Sequence, residues 1–242
     1  MEKTAIVTGS AKGLGKYLAV SLANEGFRVA LHFNTNRTEA DKTISEVKKK
    51  SPDSVLVQAD LTKEGEVNTA FGKILKDFRS IDLLVNNVGN FIYKKFSETT
   101  NREFKDILES NILSSLYCSR AVLRGMKQNR KGHIINMGTV GADVFTIREK
   151  SATYFMAKNG LYNLTKIMAW EEAGYGIHIN MISPASMAED IFDAKQFPMG
   201  RSASYEDVYK TLRFLISEDA YYINGANIEV AGAFIPGLAQ SK

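Results

Sequence analysis

Thr8-Gly9-Ser10-Ala11-Lys12-Gly13-Leu14-Gly15 follows the apolar run Thr4-Ala5-Ile6-Val7 and opens a stretch of helical spacing near residues 14–25. Glycine permits a turn with positive φ and lets a ligand approach the backbone closely. The helix start behind such a turn presents unpaired N–H groups and a partial positive charge, which suit a pyrophosphate. An ordinary glycine-rich strand-to-helix turn would have the same composition. Its position directly after an N-terminal strand favours a dinucleotide site. Gly9, Ser10, Lys12, Gly13, Leu14 and Gly15 are therefore the first cofactor candidates.

Working outward, the rest of the chain repeats the same alternation. Short β-branched apolar runs lie at 5–7, 29–33, 55–58, 83–85, 133–136, 178–182 and 227–230, with helical stretches near 14–25, 37–50, 64–77, 101–130, 152–173 and 204–217. Continuous apolar strands mean a sheet covered on both faces, and strand–helix alternation means parallel pairing through right-handed crossovers. The expected fold is α/β: a doubly wound, Rossmann-like parallel sheet of about seven strands with helices on both faces. The four prolines stand at 52, 184, 198 and 236, no linker or repeat interrupts the pattern, and 44% of residues are hydrophobic. Residues 1–242 are read as a single domain. Ligands of such sheets bind beyond the carboxyl ends of the strands.

Composition narrows the function classes. A formal charge of +4, with Lys48, Lys49 and Lys50 as its only tight basic run, reads as a solvated helix end and makes no case for nucleic acid. Cys118 is the only cysteine, so an intrachain disulfide is impossible and a metal cluster is not expected. A reducing compartment suits it. Met1-Glu2-Lys3 leads straight into the first strand without a signal peptide, and no apolar run approaches the ~20 residues of a membrane span. We expect a cytoplasmic protein.

The second strand bears on the choice of cofactor. An NAD site usually places an acid about 20 residues past the glycines, on the ribose 2′-hydroxyl. Here the strand ends Leu31-His32-Phe33-Asn34-Thr35-Asn36-Arg37, with no acid before Glu39. Asn34 and Asn36 can donate to a 2′-phosphate, and Arg37 with Lys12 can supply positive charge, which favours NADPH/NADP. Asp60, with Leu61 at the end of the third strand, suits an adenine amino group or the cap of the helix that starts near Thr62.

The ordered motifs now resemble those of the short-chain dehydrogenase/reductase family across essentially the whole chain. Thr8–Gly15 looks like its TGxxxGxG turn and Asn86-Asn87-Val88-Gly89 like its NNAG motif. Asn111 matches its helix asparagine, Tyr154-Phe155-Met156-Ala157-Lys158 is similar to its YxxxK, and Gly176-Ile177-His178-Ile179-Asn180 to its GIRVN strand. The resemblance implies Tyr154 as proton donor, Lys158 as its tuner and ribose ligand, and Asn111 as the holder of a relay water. It also places Asn87, Gly89 and Pro184 beside the cofactor. One helical turn puts Tyr154 and Lys158 on the same face. A phenol of pKa ~10 is a poor catalyst at neutral pH, and a nearby ammonium is expected to bring it toward the working range. A lysine snorkelling past a packed tyrosine would give the same spacing.

Departures from the family are informative. Thr139 stands where the family carries the serine that polarises the substrate carbonyl; threonine keeps the hydroxyl and adds a methyl. The stretch from Thr139 to Tyr154 is longer than usual, so an insertion lies between them, and Ser151 is a weaker rival donor. Pro184-Ala185 replaces the family's PG, making a positive φ at 185 costly. A short substrate lid is expected around 186–200, and the late VDGG reads Val230-Ala231-Gly232-Ala233.

The resulting expectation is an NADPH-dependent oxidoreductase acting on a small-molecule or carrier-bound carbonyl, or a pterin-like C=N. The closest in character are 3-oxoacyl-carrier-protein reductases and pteridine reductases. Phe91, Tyr93 and Phe145 are placed to build a flat slot for a pterin. The alternative is a non-catalytic nucleotide-binding sensor or scaffold of the same fold. Apolar residues beyond one helix face, Leu116, Leu161, Leu164 and Trp170, point with the resemblance to a homotetramer or homodimer.

Overall fold

A computed structural model describes residues 3–144, 148–187 and 197–235. Seven parallel strands form one sheet in the order β3-β2-β1-β4-β5-β6-β7. They are β1 Lys3–Val7, β2 Phe27–Phe33, β3 Val55–Gln58, β4 Leu83–Asn86, β5 Gly132–Met137, β6 Ile177–Pro184 and β7 Asn227–Val230. The chain steps outward from β1 to β3, then returns to lay β4 against the free side of β1. That reversal is the switch point. It sets the glycine turn after β1 and the Asn86–Gly89 turn after β4 side by side at one crevice.

Both sheet faces are dry, which is why the strands read as unbroken apolar runs. Ala30, Ile6, Leu84, Ile134 and Ile179 are in register across five strands and all face one core. That core is closed by α3 (Glu64–Phe78), α5 (Ser114–Asn129) and α6 (Ala152–Glu172). Val7, Leu31, Val85, Ile135 and Ile182 face the opposite core, under α1 (Gly13–Asn24), α2 (Arg37–Lys48) and α7 (Tyr205–Leu215).

The expected helix over 101–130 is two helices in phase. α4 (Asn101–Leu108) begins at a capping box between Thr100 and Glu103, and one turn of π-helix at Glu109–Leu113 joins it to α5. Ala185 keeps a negative φ, whereas Gly232 and Ala233 take φ of 54° and 62°. The left-handed cost avoided at 185 is met at Ala233, of order 1 kcal/mol for a residue with a Cβ. Among the described residues, no helix is long and apolar enough to cross a membrane.

Candidate active site

The glycine turn is locked from beneath. Gly9 and Gly13 adopt φ of 62° and 59°. A Cβ on Gly15 would fall inside the Gly9 carbonyl oxygen and the Asn87 amide, so the helix packs against the turn only with glycine there. The Ser10 hydroxyl points inward: it donates to the Val7 carbonyl at 2.8 Å and accepts from the His32 N–H at 3.1 Å. Ser10 is therefore buried, and its backbone N–H is also spent, donating to the His32 carbonyl at 2.8 Å, so neither hydroxyl nor amide is left for a ligand. The Asn87 amide is likewise engaged, donating to the Thr8 and Gly9 carbonyls at 3.0 and 3.2 Å. Thr8 completes the staple, its hydroxyl accepting from the Asn87 and Val88 N–H groups. The start of α1, by contrast, has no side-chain cap, so its first N–H groups stay available beside Gly13 and Leu14.

One residue of this turn was invisible to motif matching. His32 ends β2 fully buried, accepting from the Gly9 N–H at Nδ1 (3.0 Å) while Nε2 donates to the Ala59 carbonyl (3.0 Å). Burial lowers its pKa to about 4, so the imidazole is neutral at pH 7. Its contacts lie 23 and 27 residues away, a separation that no short pattern samples.

At the end of β2 several expected phosphate ligands have other partners. The Asn36 side chain caps α2 by accepting from the Glu39 N–H at 3.2 Å. Arg37 is paired with Asp41 at 2.8 Å and lies over the Phe33 ring. The Asn34 carbonyl accepts from Gln58, and its exposed side chain is uncommitted. Lys12 is exposed at the turn and close enough to Glu39 to feel its charge, although the carboxylate belongs first to Lys42 at 2.7 Å. Asp60 accepts from the Thr62 N–H and hydroxyl and pairs with Lys63, an Asx turn leading into α3. Burial works to raise the Asp60 pKa, but those hydrogen bonds and Lys63 win and hold it below the usual carboxylate range. Leu61 is buried.

The first turns of α6 carry the candidate catalytic residues Tyr154 and Lys158. Ser151 occupies the position before the helix, its hydroxyl reaching only the Glu149 carbonyl at 3.5 Å. Thr139, in the loop that follows β5, lies near enough to the Tyr154 phenol to favour its ionised form. Burial pushes that phenol up to about 12, with the Thr139 hydrogen bond pulling down. The ring is partly open to solvent, and the phenol is protonated at pH 7. The expected depression by Lys158 does not occur here. The Lys158 ammonium lies 5.6 Å from the Tyr154 ring centre and donates to the Met137 carbonyl at 2.6 Å. It is buried, which lowers its own pKa to about 8.

Asn111 sits in the π-helical turn, where its amide donates to the Asn90 and Ile107 carbonyls, both at 2.9 Å. Its Oδ1 is buried without a protein partner. A Cβ on Gly89 would overlap that oxygen and stand 3.2 Å from the Lys158 Nζ, so Gly89 opens the space between the two groups. Pro184 ends β6, and its carbonyl accepts from Val140 N–H. The structure thus brings Asn111, Gly89, Lys158, Tyr154 and Thr139 to one crevice beside the glycine turn.

Aromatic residues flank the Tyr154 ring. Phe91 meets Tyr154 edge-on at 4.9 Å and stacks with Tyr93 at 6.5 Å, yet both remain about 60% exposed, at 61% and 64%. Phe145 lies outside the described residues, as do residues 188–196 of the expected lid. A further tie comes from the sheet edge: Glu229 of β7 accepts from the Gly141 N–H at 2.6 Å, and Gly141 has φ of 78°. With the Ala142 N–H on the Thr139 carbonyl at 3.0 Å, this fixes the turn that carries Thr139.

Residues 3–197 match the profile of the short chain dehydrogenases. The chain belongs to this family. A 3-oxoacyl-[acyl-carrier-protein] reductase of Staphylococcus aureus is 32% identical over 242 residues, covering 96% of this chain and 98% of its own length. Glucose 1-dehydrogenase 2 of Bacillus subtilis is 30% identical, covering 95% and 93%. Among solved short-chain dehydrogenases, the acetoin dehydrogenase of Salmonella typhimurium superposes with a TM-score of 0.88 over 99% of both chains at 26% identity. As an oxidoreductase of this family the chain uses a nicotinamide cofactor. The fit is visible in the uncapped start of α1, the positive-φ turn and the unpartnered Asn111 oxygen facing Lys158.

Proposed function

We propose that this short-chain oxidoreductase reduces a carbonyl substrate with NADPH, Tyr154 being the proton donor. The observation that carries the proposal is the Thr139 hydroxyl set against a protonated Tyr154 phenol. The bound nicotinamide supplies the hydride. Thr139 and Tyr154 orient the substrate oxygen between two hydroxyl donors, and Tyr154 gives up its proton as negative charge develops there. Lys158, 5.6 Å from the ring centre, offsets the charge left on the phenolate and is placed for the ribose hydroxyls. Asn111 Oδ1 accepts the relay water that reprotonates the pair. An arrangement this complete favours catalysis over a sensor or scaffold role.

Three named relatives act on three different compounds, so relatedness leaves the substrate open. A carrier-bound 3-oxoacyl group is the reading the first relative suggests. The exposed Phe91–Tyr93 pair favours a flat substrate, such as a pterin-like C=N, as the second. Oxidation of NADPH across 3-oxoacyl thioesters, dihydropterins and diketones separates them, and activity with none of the three would remove both substrate readings.

NADPH over NADH rests on the acid-free end of β2 and on Lys12. We expect Lys12→Ala to lower kcat/KM for NADPH at least tenfold, about 1.4 kcal/mol, while leaving NADH nearly unchanged. Arg37→Ala should do less, because Asp41 already holds the guanidinium. Equal losses with both cofactors would mean Lys12 does not read the 2′-phosphate. The same proposal extends to assembly as a homodimer or homotetramer through α5 and α6. Ile167 and Trp170 are exposed there, Trp170 by 85%, whereas Leu161, expected on that surface, is buried against Ala142 and Met181 in the chain's own core. It also extends to a cytoplasmic setting for the single buried thiol.

A further inference from the structure

Arg148 lies in the inserted loop between Thr139 and Tyr154, against a near neighbour of each: Gly141, two residues past Thr139, and Phe155, next to Tyr154. Its terminal nitrogen stands 3.2 Å from the point where a Cβ on Gly141 would be, so the guanidinium rests on the turn that carries Thr139. Its central carbon lies 5.1 Å from the centre of the Phe155 ring, the residue next to Tyr154. Gly141 is thus required for two reasons: its φ of 78° and the room it leaves for this cation.

Among the described residues the guanidinium forms no ion pair. Its Nε is buried without a hydrogen-bond partner, although arginine offers five donors that normally find acceptors. Nearby acids do not serve it. Glu229 accepts the Gly141 N–H on the other side of the turn. Asp143 and Glu149, exposed on the same loop, form no ion pair among the described residues. The guanidinium is only partly buried, but a buried donor such as its Nε is costly to leave unmet unless something else meets it. Burial lowers the Arg148 pKa, and the group is still charged at any pH the protein meets.

We propose that Arg148 binds an anionic group of the substrate, so that the natural substrate is a carbonyl compound bearing a carboxylate or a phosphate ester a few bonds from the reacting carbon. This rests on Tyr154 and Thr139 being the reacting end of the site. Phe155 supports one face of the guanidinium and leaves its edge for a two-pronged grip on two oxygens.

Paired substrates differing only in charge test it: 4-formylbenzoate and 4-formylphenyl phosphate against neutral methyl 4-formylbenzoate. The wild-type enzyme should favour at least one anion by tenfold or more in kcat/KM, with the difference in KM, and the preferred anion identifies carboxylate or phosphate. Arg148→Gln should erase the preference and leave the ester's constants unchanged. Arg148→Lys should restore part of it, since charge returns without the fork. Equal use of anion and ester by the wild type, or a preference that survives Arg148→Gln, overturns the proposal and leaves Arg148 as packing on Phe155. Calorimetric titration of benzoate and of inorganic phosphate into wild type and Arg148→Gln, with NADP present, reads the same contact without turnover. Should no aldehyde be reduced, the catalytic reading fails, while anion binding lost only in Arg148→Gln still supports the arginine and unchanged or absent binding overturns it.

Discussion

A Tyr154→Phe enzyme keeps its fold and cofactor affinity and loses roughly 10²–10⁴-fold in single-turnover hydride transfer, the usual worth of a positioned general acid. The substitution removes one hydroxyl and leaves the ring that meets Phe91 at 4.9 Å and Phe155 at 5.9 Å, so the packing of α6 is untouched. Because the phenol is protonated at pH 7, the wild-type rate should be flat through neutrality and fall only in alkaline solution, where the acid is lost. Thr139 separates proton supply from orientation. Thr139→Ser keeps the donor and should be mild, whereas Thr139→Val keeps the shape and should cost about tenfold or more. Wild-type turnover in Tyr154→Phe would remove the mechanism; in Thr139→Val it would remove only the orienting role.

Lys158→Met should make the enzyme inactive and more stable at once. Burial lowers the Lys158 pKa from 10.5 to about 8, so keeping it charged at pH 7 costs on the order of 3 kcal/mol relative to an unfolded lysine. The folded value lies below the unfolded one. The cost is therefore full below pH 8, fades between 8 and 10.5, and is gone above. Wild-type stability should rise with pH across that window, and Lys158→Met should lack the rise. Loss of the hydrogen bond to the Met137 carbonyl takes back part of the gain, leaving about 1–3 kcal/mol at pH 7 in denaturant titration. A variant less stable than wild type at pH 7 would show that Lys158 is held at no cost, and that its ammonium is better solvated than its burial suggests. Stability given up at one buried position is what the proposed catalytic role of Lys158 would require.

The fold was legible because each strand is short, apolar on both sides and set between helices with ordinary spacing; every one of the seven runs became a strand, extended by at most two residues at an end. Tyr154, Lys158, Thr139, Asn111 and Gly89 were legible for a related reason. Their residue types and order survive in one dimension, and the strand ends gather them. What failed was knowledge of partners. Asn36, Arg37, Ser10 and Asn87 look like free ligands in the sequence, and each is engaged in the folded chain by a cap, an ion pair or the turn itself. Glu229 and His32 act across 88 and 23 residues, where no local spacing could announce them. Arg148 was hidden differently. An arginine on an inserted loop looks like decoration until its lack of a partner is seen.

His32 gives the cofactor turn a chemical weakness on the acid side. Its Nδ1 holds the Gly9 N–H only as a lone pair; once protonated, the ring has two donors and nothing to offer the amide. Its pKa is about 4 in the fold against 6.5 unfolded, chiefly through burial, with the Ala59 carbonyl and Asp60 pulling back. The support it lends is whole above pH 6.5 and drains away as pH falls toward 4. Acid should therefore detach the cofactor and loosen the chain in one event rather than two. Amide exchange at Gly9 should quicken together with the loss of NADPH binding, and His32→Asn should shift both or neither.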